Sequence, residues 1–183
     1  MYLKQQHIEL LFYKPTDVAQ TRLKSLILLY RGYAFSGLGD ELLAEGEFKQ
    51  AISWDAGNMD AITALASLRL NQRRYQDSMR LVDEVLLKEP LNQTALLIKT
   101  NILSQQGNAP QALAIADILI KESPRNAQGL LARAALNLEL GQYALSFADI
   151  EQVMQLYPNE PMAHYLKMQS LQGLGQEREA VKT

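Results

Sequence analysis

Cysteine is absent from this 183-residue chain. That removes disulfides, thiolate metal ligands and a cysteine nucleophile, and it leaves the redox compartment open. Histidine is scarce: His7 and His164 stand far apart, without the paired spacing that a zinc site needs. His164 is expected to pack. Long apolar runs are also lacking, since the run at 26–30 stops at Arg31, far short of the ~20 residues that cross a bilayer. Membrane insertion by this chain is not expected. The opening MYLKQQHIELLFYKP has no basic start, apolar stretch and small-residue cleavage site in series, so it does not read as a signal peptide. Neither sign of charge dominates: 18 Lys and Arg face 20 Asp and Glu, for a net charge of −2. Without a broad basic field there is little counterion release to drive nucleic-acid binding, and DNA and RNA are not expected partners.

Catalytic signatures are missing as well. No GxSxG, HExxH or P-loop is present, and the glycines at 32, 37 and 39 are not followed by the Lys-Ser/Thr pair that meets phosphates. Acids such as Asp40, Glu41, Glu45 and Glu47, or Asp149 and Glu151, have the spacing of a solvated helix face rather than of a catalytic pair. The expectation is a protein that is not an enzyme, with no cofactor and no metal. Asn92-Gln93-Thr94 matches a glycosylation sequon, but it falls where asparagine is wanted for local turn structure.

What is present is periodicity. Only 10 glycines and 6 prolines interrupt a chain that is 48% hydrophobic, a balance that favours helix. Pro90, Pro124 and Pro158 recur every 34 residues in PLN, PRN and PNE, and one further step back lands on Ala56 in DAGN, where Gly57 and Asn58 supply a helix stop. A second series of breaks, Gly39, Arg73, Gly107, Gly141 and Gly175, keeps the same interval. Each unit therefore reads as helix, turn, helix, with Pro110 fitting the first turn of a new helix because its missing N–H would lack a partner there anyway. Small side chains recur at Gly32, Ala66, Thr100 and Ala134 in the first helix, with Met168 in the last unit, and at Ala44, Ser78, Ala112, Ser146 and Ala180 in the second. Apolar pairs follow on one face: Phe48 and Ala51, Val82 and Val85, Ala116 and Leu119, Ile150 and Val153.

These positions resemble the tetratricopeptide-repeat (TPR) pattern, in which helix A carries a small eighth residue, helix B a small twentieth, and proline closes the unit at the thirty-second. The resemblance implies an all-α, right-handed superhelical solenoid over residues 25–183. Its units are 25–58, 59–92, 93–126 and 127–160, with a partial fifth at 161–183. A first unit shifted by seven residues, with Gly39 as the small eighth place and Gly46 as the turn, also fits. The unshifted register instead puts Gly46 inside a helix at about 1 kcal/mol relative to alanine, and a short second helix there would favour the shifted one. Residues 1–24 are expected to form a helical cap, with Thr16 as N-cap and with Ile8, Leu10, Leu11, Phe12 and Tyr13 in the core.

A stack of helix pairs builds a concave wall from its A helices. The resemblance implies that this wall takes a protein or peptide ligand at Tyr33, Thr63, Ser67, Asn71, Leu97, Asn101, Gln105, Leu131, Glu139, Tyr165 and Gln169. No lysine or arginine stands at the groove places. The fifth places, where chaperone-tail clamps in the family carry cations, hold Leu29, Thr63, Leu97, Leu131 and Tyr165. Such a lining suits an uncharged or mixed polypeptide segment, or a polysaccharide, better than an acidic tail. Of 13 aromatic residues, units 59–92 and 93–126 hold only Tyr75, so the aromatic-rich N-terminal region, with Tyr30, Tyr33 and Trp54, offers the larger anchors.

The stretches LLYRGYAFSGLGD, FKQAISWDAGNMDA and LLARAALNLELGQYALSFADIEQVMQLYPNEPMAHYLKMQ are similar to the long TPR lipoproteins of bacterial PEP-CTERM/exosortase exopolysaccharide systems. That likeness implies a scaffold in envelope, exopolysaccharide or secretion assembly. The chain would then be a fragment of a longer protein in the periplasm or at the outer membrane. The competing expectation is a cytoplasmic co-chaperone-like or regulatory adaptor. A homo-oligomer is compatible with either.

Overall fold

The structure is a computed structural model and describes residues 17–175. The expected cap residues Ile8, Leu10, Leu11, Phe12, Tyr13 and Thr16 lie outside that range, as does Ala180. Among the described residues there are nine helices and no strand. They are α1 Val18–Gly37, α2 Glu41–Trp54, α3 Met59–Asn71, α4 Tyr75–Lys88, α5 Gln93–Gln105, α6 Ala109–Glu122, α7 Ala127–Glu139, α8 Tyr143–Leu156 and α9 Pro161–Gly173. The chain divides into two compact units, Met1–Gln72 and Arg73–Thr183.

Two recurring turns set the helix ends. Within each hairpin the chain reverses through a left-handed residue: Gly39, Gly107, Gly141 and Gly175 have φ of 80°, 73°, 71° and 76°. Glycine meets this without a Cβ penalty. Arg73 takes the same position at φ 58°, at a cost of about 1 kcal/mol relative to glycine. Between hairpins, helices end at Asp55, Glu89, Ser123 and Tyr157, directly before Ala56, Pro90, Pro124 and Pro158. The asparagines that follow start the next helix rather than stop the last. The Oδ1 atoms of Asn58, Asn92 and Asn126 accept from the N–H groups of Ala61, Ala95 and Gly129 at 3.0, 3.0 and 2.9 Å, each worth about 1 kcal/mol relative to alanine. Asn92 of the sequon is thus a helix cap.

In the first unit α1 pairs with α2, and α3 packs on both. α1 begins at Asp17, whose Oδ1 accepts from the Ala19 N–H at 2.9 Å, one residue after the expected Thr16. It continues unbroken through Lys24 and Ser25 for 20 residues. α2 has 14 residues, like α4, α6 and α8, and it contains Gly46. The buried side chains include Leu28, Leu29, Ala44, Phe48, Ala51, Ile62 and Ala66. A polar tie joins the three helices: the Ser25 hydroxyl donates to the Ala51 carbonyl and accepts from Asn58 Nδ2, both at 2.8 Å.

In the second unit each helix contacts the one before it, from α5 against α6 to α9 against α8, and the A helices α5, α7 and α9 lie side by side. The core holds the residues read from the periodicity. Val82, Val85, Ala112, Ala116, Leu119, Ala134, Ile150 and Val153 are fully buried.

Ion pairs cross the hairpins. In the first unit the buried Arg69 guanidinium grips Glu45 through two nitrogens, at 2.7 and 2.5 Å. Hydrogen bonds from Arg69 and then from Lys49 hold the Glu45 carboxyl at about 2, against its usual 4.5. A carboxylate with a depressed folded pKa stabilises the fold above its unfolded pKa, and that contribution disappears as pH falls through the folded value. Thermal melts of the full chain between pH 5 and pH 2 (working range set by that shift) should show stability falling as acid is added. In Glu45→Gln the same window should be flatter, and an equally steep loss there would rule out this carboxylate as the source.

Candidate binding groove

The A helices of each unit carry the residues expected to meet a partner. In the first unit, Tyr33 on α1 is 47% exposed, and its ring stands edge-on to Phe48 with centroids 5.5 Å apart. Partial burial, then the Asp60 carboxylate, then Tyr30, push its phenol above the ordinary value of 10, so it remains a neutral hydroxyl at physiological pH. Thr63 is 2% exposed and its hydroxyl donates to the Asp60 carbonyl, which puts it beneath the surface rather than on it. Ser67 is half-buried and Asn71 is exposed at the end of α3.

In the second unit a groove of about 500 Å³ opens between α7 and α9, lined by Ala135, Leu138, Glu139, Tyr143, Leu166, Gln169, Gln172 and Gly173. It brings together Glu139 and Gln169, and Tyr165 adjoins it, because Gln169 Nε2 donates to the Tyr165 hydroxyl at 2.8 Å. Tyr165 is 52% exposed. Leu131 packs against the core below. Leu97 and Asn101, both half-buried, and the exposed Gln105 lie on α5, outside the groove lining.

Leu138, Tyr143, Leu166 and Gly173 were missed in the sequence. Tyr143 opens helix B and so was not sought on the wall. Its ring reaches the groove because Gly173 leaves room: a Cβ there would sit 2.4 Å from the ring. A bulky aromatic just after the hairpin turn, thirty residues before a glycine at the end of the next helix A, was the available signal.

Chemically the lining offers two amides, one carboxylate, a phenol and aliphatic surface, with no cation. His164 lies outside it, with Nε2 2.8 Å from the Pro158 carbonyl. No cluster of three metal-ligating side chains occurs among the described residues.

Helices paired head to tail, reversed by left-handed residues and repeated every 34 residues, have counterparts among solved structures. A thermophilic TPR protein of Thermus thermophilus matches over 86% of this chain and 87% of its own, with TM-score 0.75 and 19% identity. The fold is the tetratricopeptide-repeat fold. A TPR protein of Parabacteroides merdae has TM-score 0.69 at 19% identity, covering 87% of this chain and 65% of its own. MamA from Desulfovibrio magneticus has TM-score 0.71 at 15% identity, covering 87% and 90%. At these identities the TPR likeness concerns the fold alone. No protein-family model matches the chain. Among curated proteins, a DnaJ homolog subfamily C member 3 homolog of Dictyostelium discoideum is 24% identical over 172 residues, covering 82% of this chain. The chain spans 34% of that relative's length.

Proposed function

We propose that this chain is a protein-interaction scaffold that holds a polypeptide segment along its A helices, with the α7–α9 groove as the principal contact. The observation that carries this is the groove itself. It is concave, partly apolar, supplied with the side-chain amides of Gln169 and Gln172, a group type able to hydrogen-bond an extended backbone, and free of lysine and arginine. Its one charge, Glu139, disfavours an acidic tail and favours a segment of neutral or mixed composition.

For the assembly served, the similarity to PEP-CTERM/exosortase lipoproteins supports a bacterial envelope, exopolysaccharide or secretion context with a periplasmic or outer-membrane location. A second reading is a cytoplasmic co-chaperone-like or regulatory adaptor, of which the likeness to the DnaJ homolog supports the chaperone-like part. The test is a peptide-library screen with the immobilised full chain, followed by calorimetric titration of the best sequence. Glu139 and Gln172 are exposed, so changing both to alanine should weaken binding about tenfold and leave the melting temperature unmoved. Undiminished affinity, or enrichment of polyacidic sequences, would reject the groove reading.

A further inference from the structure

We propose that the outward face of α1 is a second docking surface, which takes an acidic amphipathic helix from a partner protein. This face is separate from the groove above, and it emerges from comparing the same places in successive helices. In α3, α5, α7 and α9, each preceded by a helix B, the third and tenth places of the repeat are buried: Ala61 and Leu68, Ala95 and Ile102, Gly129 and Leu136, Ala163 and Ser170. The preceding helix covers them. A Cβ on Gly129 would lie 2.9 Å from both Leu119 and Ile120 of α6, and Leu136 clusters with Ala109, Ala112 and Ala116 of the same helix. The sixth place is also buried in three of the four helices, at Ala64, Ile98 and Leu166.

α1 holds Ile27, Tyr30 and Ala34 at these three places, and all are exposed, Ile27 at 47% and Tyr30 at 67%. Leu23, 59% exposed, extends them one turn further. At spacings of four, three and four residues the four side chains form one stripe along the helix; among the described residues nothing covers its third and tenth places, which are buried in every later A helix.

Charge identifies the occupant. In α5, α7 and α9 the seventh place forms ion pairs, whereas α3 holds the buried Leu65 there. Arg133 takes Asp149 of its own hairpin at 2.7 Å and Asp117 of the preceding helix at 2.9 Å. Lys99 and Lys167 likewise take Asp83 and Glu151 of the preceding helices, both at 2.8 Å. Each of these preceding acids stands sixteen residues before its cation. Arg31 occupies this place in α1 and has its own hairpin's acid, Glu47, at 2.9 Å, but its side chain is still 54% exposed. The residue sixteen before it is Pro15, and the only acid in residues 1–16 is Glu9, out of that register. α1 carries Arg22, Lys24 and Arg31 and no acid, so a second copy presenting its own α1 would set cation against cation. The missing complement is a helix with an apolar stripe and a carboxylate opposite Arg31.

The probe is a fluorescent 16-residue peptide of residues 75–90, YQDSMRLVDEVLLKEP, whose Asp83 already pairs with a seventh-place cation. Anisotropy titration with the full chain should show saturable binding that Tyr30→Asp weakens by about tenfold or more. The Glu139 and Gln172 substitutions should leave it unchanged, which separates this surface from the groove. Asp83→Lys in the peptide should weaken binding severalfold, and Arg31→Glu in the chain should restore it. Absence of saturable binding, or indifference to Tyr30→Asp, overturns the proposal. So does peptide binding that appears only after Leu10→Asp and Leu11→Asp, which would make residues 1–16 the occupant. A concentration-dependent dimer abolished by Tyr30→Asp would instead assign the face to a second copy. Retention on phosphatidylserine vesicles lost in the same variant, without peptide binding, would assign it to a membrane.

Discussion

Ala134→Arg is expected to unfold the second unit. Ala134 is fully buried on α7, in one cluster with Leu130, Ile150, Val153 and Ala163, where the flanking helices approach over a methyl group. Arginine there must either force the helices apart or leave its guanidinium buried away from an acid. Overpacking costs about 1–3 kcal/mol and an uncompensated buried charge about 3–5 kcal/mol, so the loss is comparable with the whole stability of a small domain. Circular dichroism should show a large fall in helicity or in melting temperature. The control is the next residue. Ala135 is exposed on the groove wall, and arginine there should change stability by no more than about 0.5 kcal/mol. Equal behaviour of the two variants would mean that α7 presents a different face to the core.

Phe48→Ala is the next largest effect, and it reverses the sign of a second substitution. Phe48 is 2% exposed and lies across α1, where a Cβ added at Gly32 would sit 2.4 Å from its ring. Removing the ring should destabilise the chain by about 3–5 kcal/mol in urea titration. Gly32→Ala in the native chain should also destabilise, because the aromatic side chain must leave its rotamer. In the Phe48→Ala background the same change meets no ring and should stabilise, by up to about 1 kcal/mol, through helix propensity. A double-mutant cycle with no coupling would refute the contact.

The helices were legible because their signals are local. The 34-residue interval exposed both turns, and the apolar pairs from Phe48 and Ala51 to Ile150 and Val153 marked the buried face, since steric rules act on a few neighbouring residues. Asn58 was visible but read as a helix stop, whereas its side chain acts forward, accepting from the N–H three residues on. The candidate wall was legible only in part. Glu139 and Gln169 do line the groove, yet Thr63, chosen by place, is buried, because its exposure depends on tertiary packing rather than on its own helix. Tyr143 enters the groove only through the space left at Gly173, a relation across thirty residues that no local pattern reports.

The asparagine caps bear on how such a chain can change length. The second, third and fourth helical pairs each start at an asparagine cap, and Lys99, Arg133 and Lys167 each look back to an acid sixteen residues earlier. Excising residues 93–126 would join Asn92 to Ala127, restoring an asparagine cap and setting Arg133 opposite Asp83 where Asp117 had been. The seam would be chemically indistinguishable from its neighbours, so the number of cassettes can drift by whole periods while the joints between them stay the same.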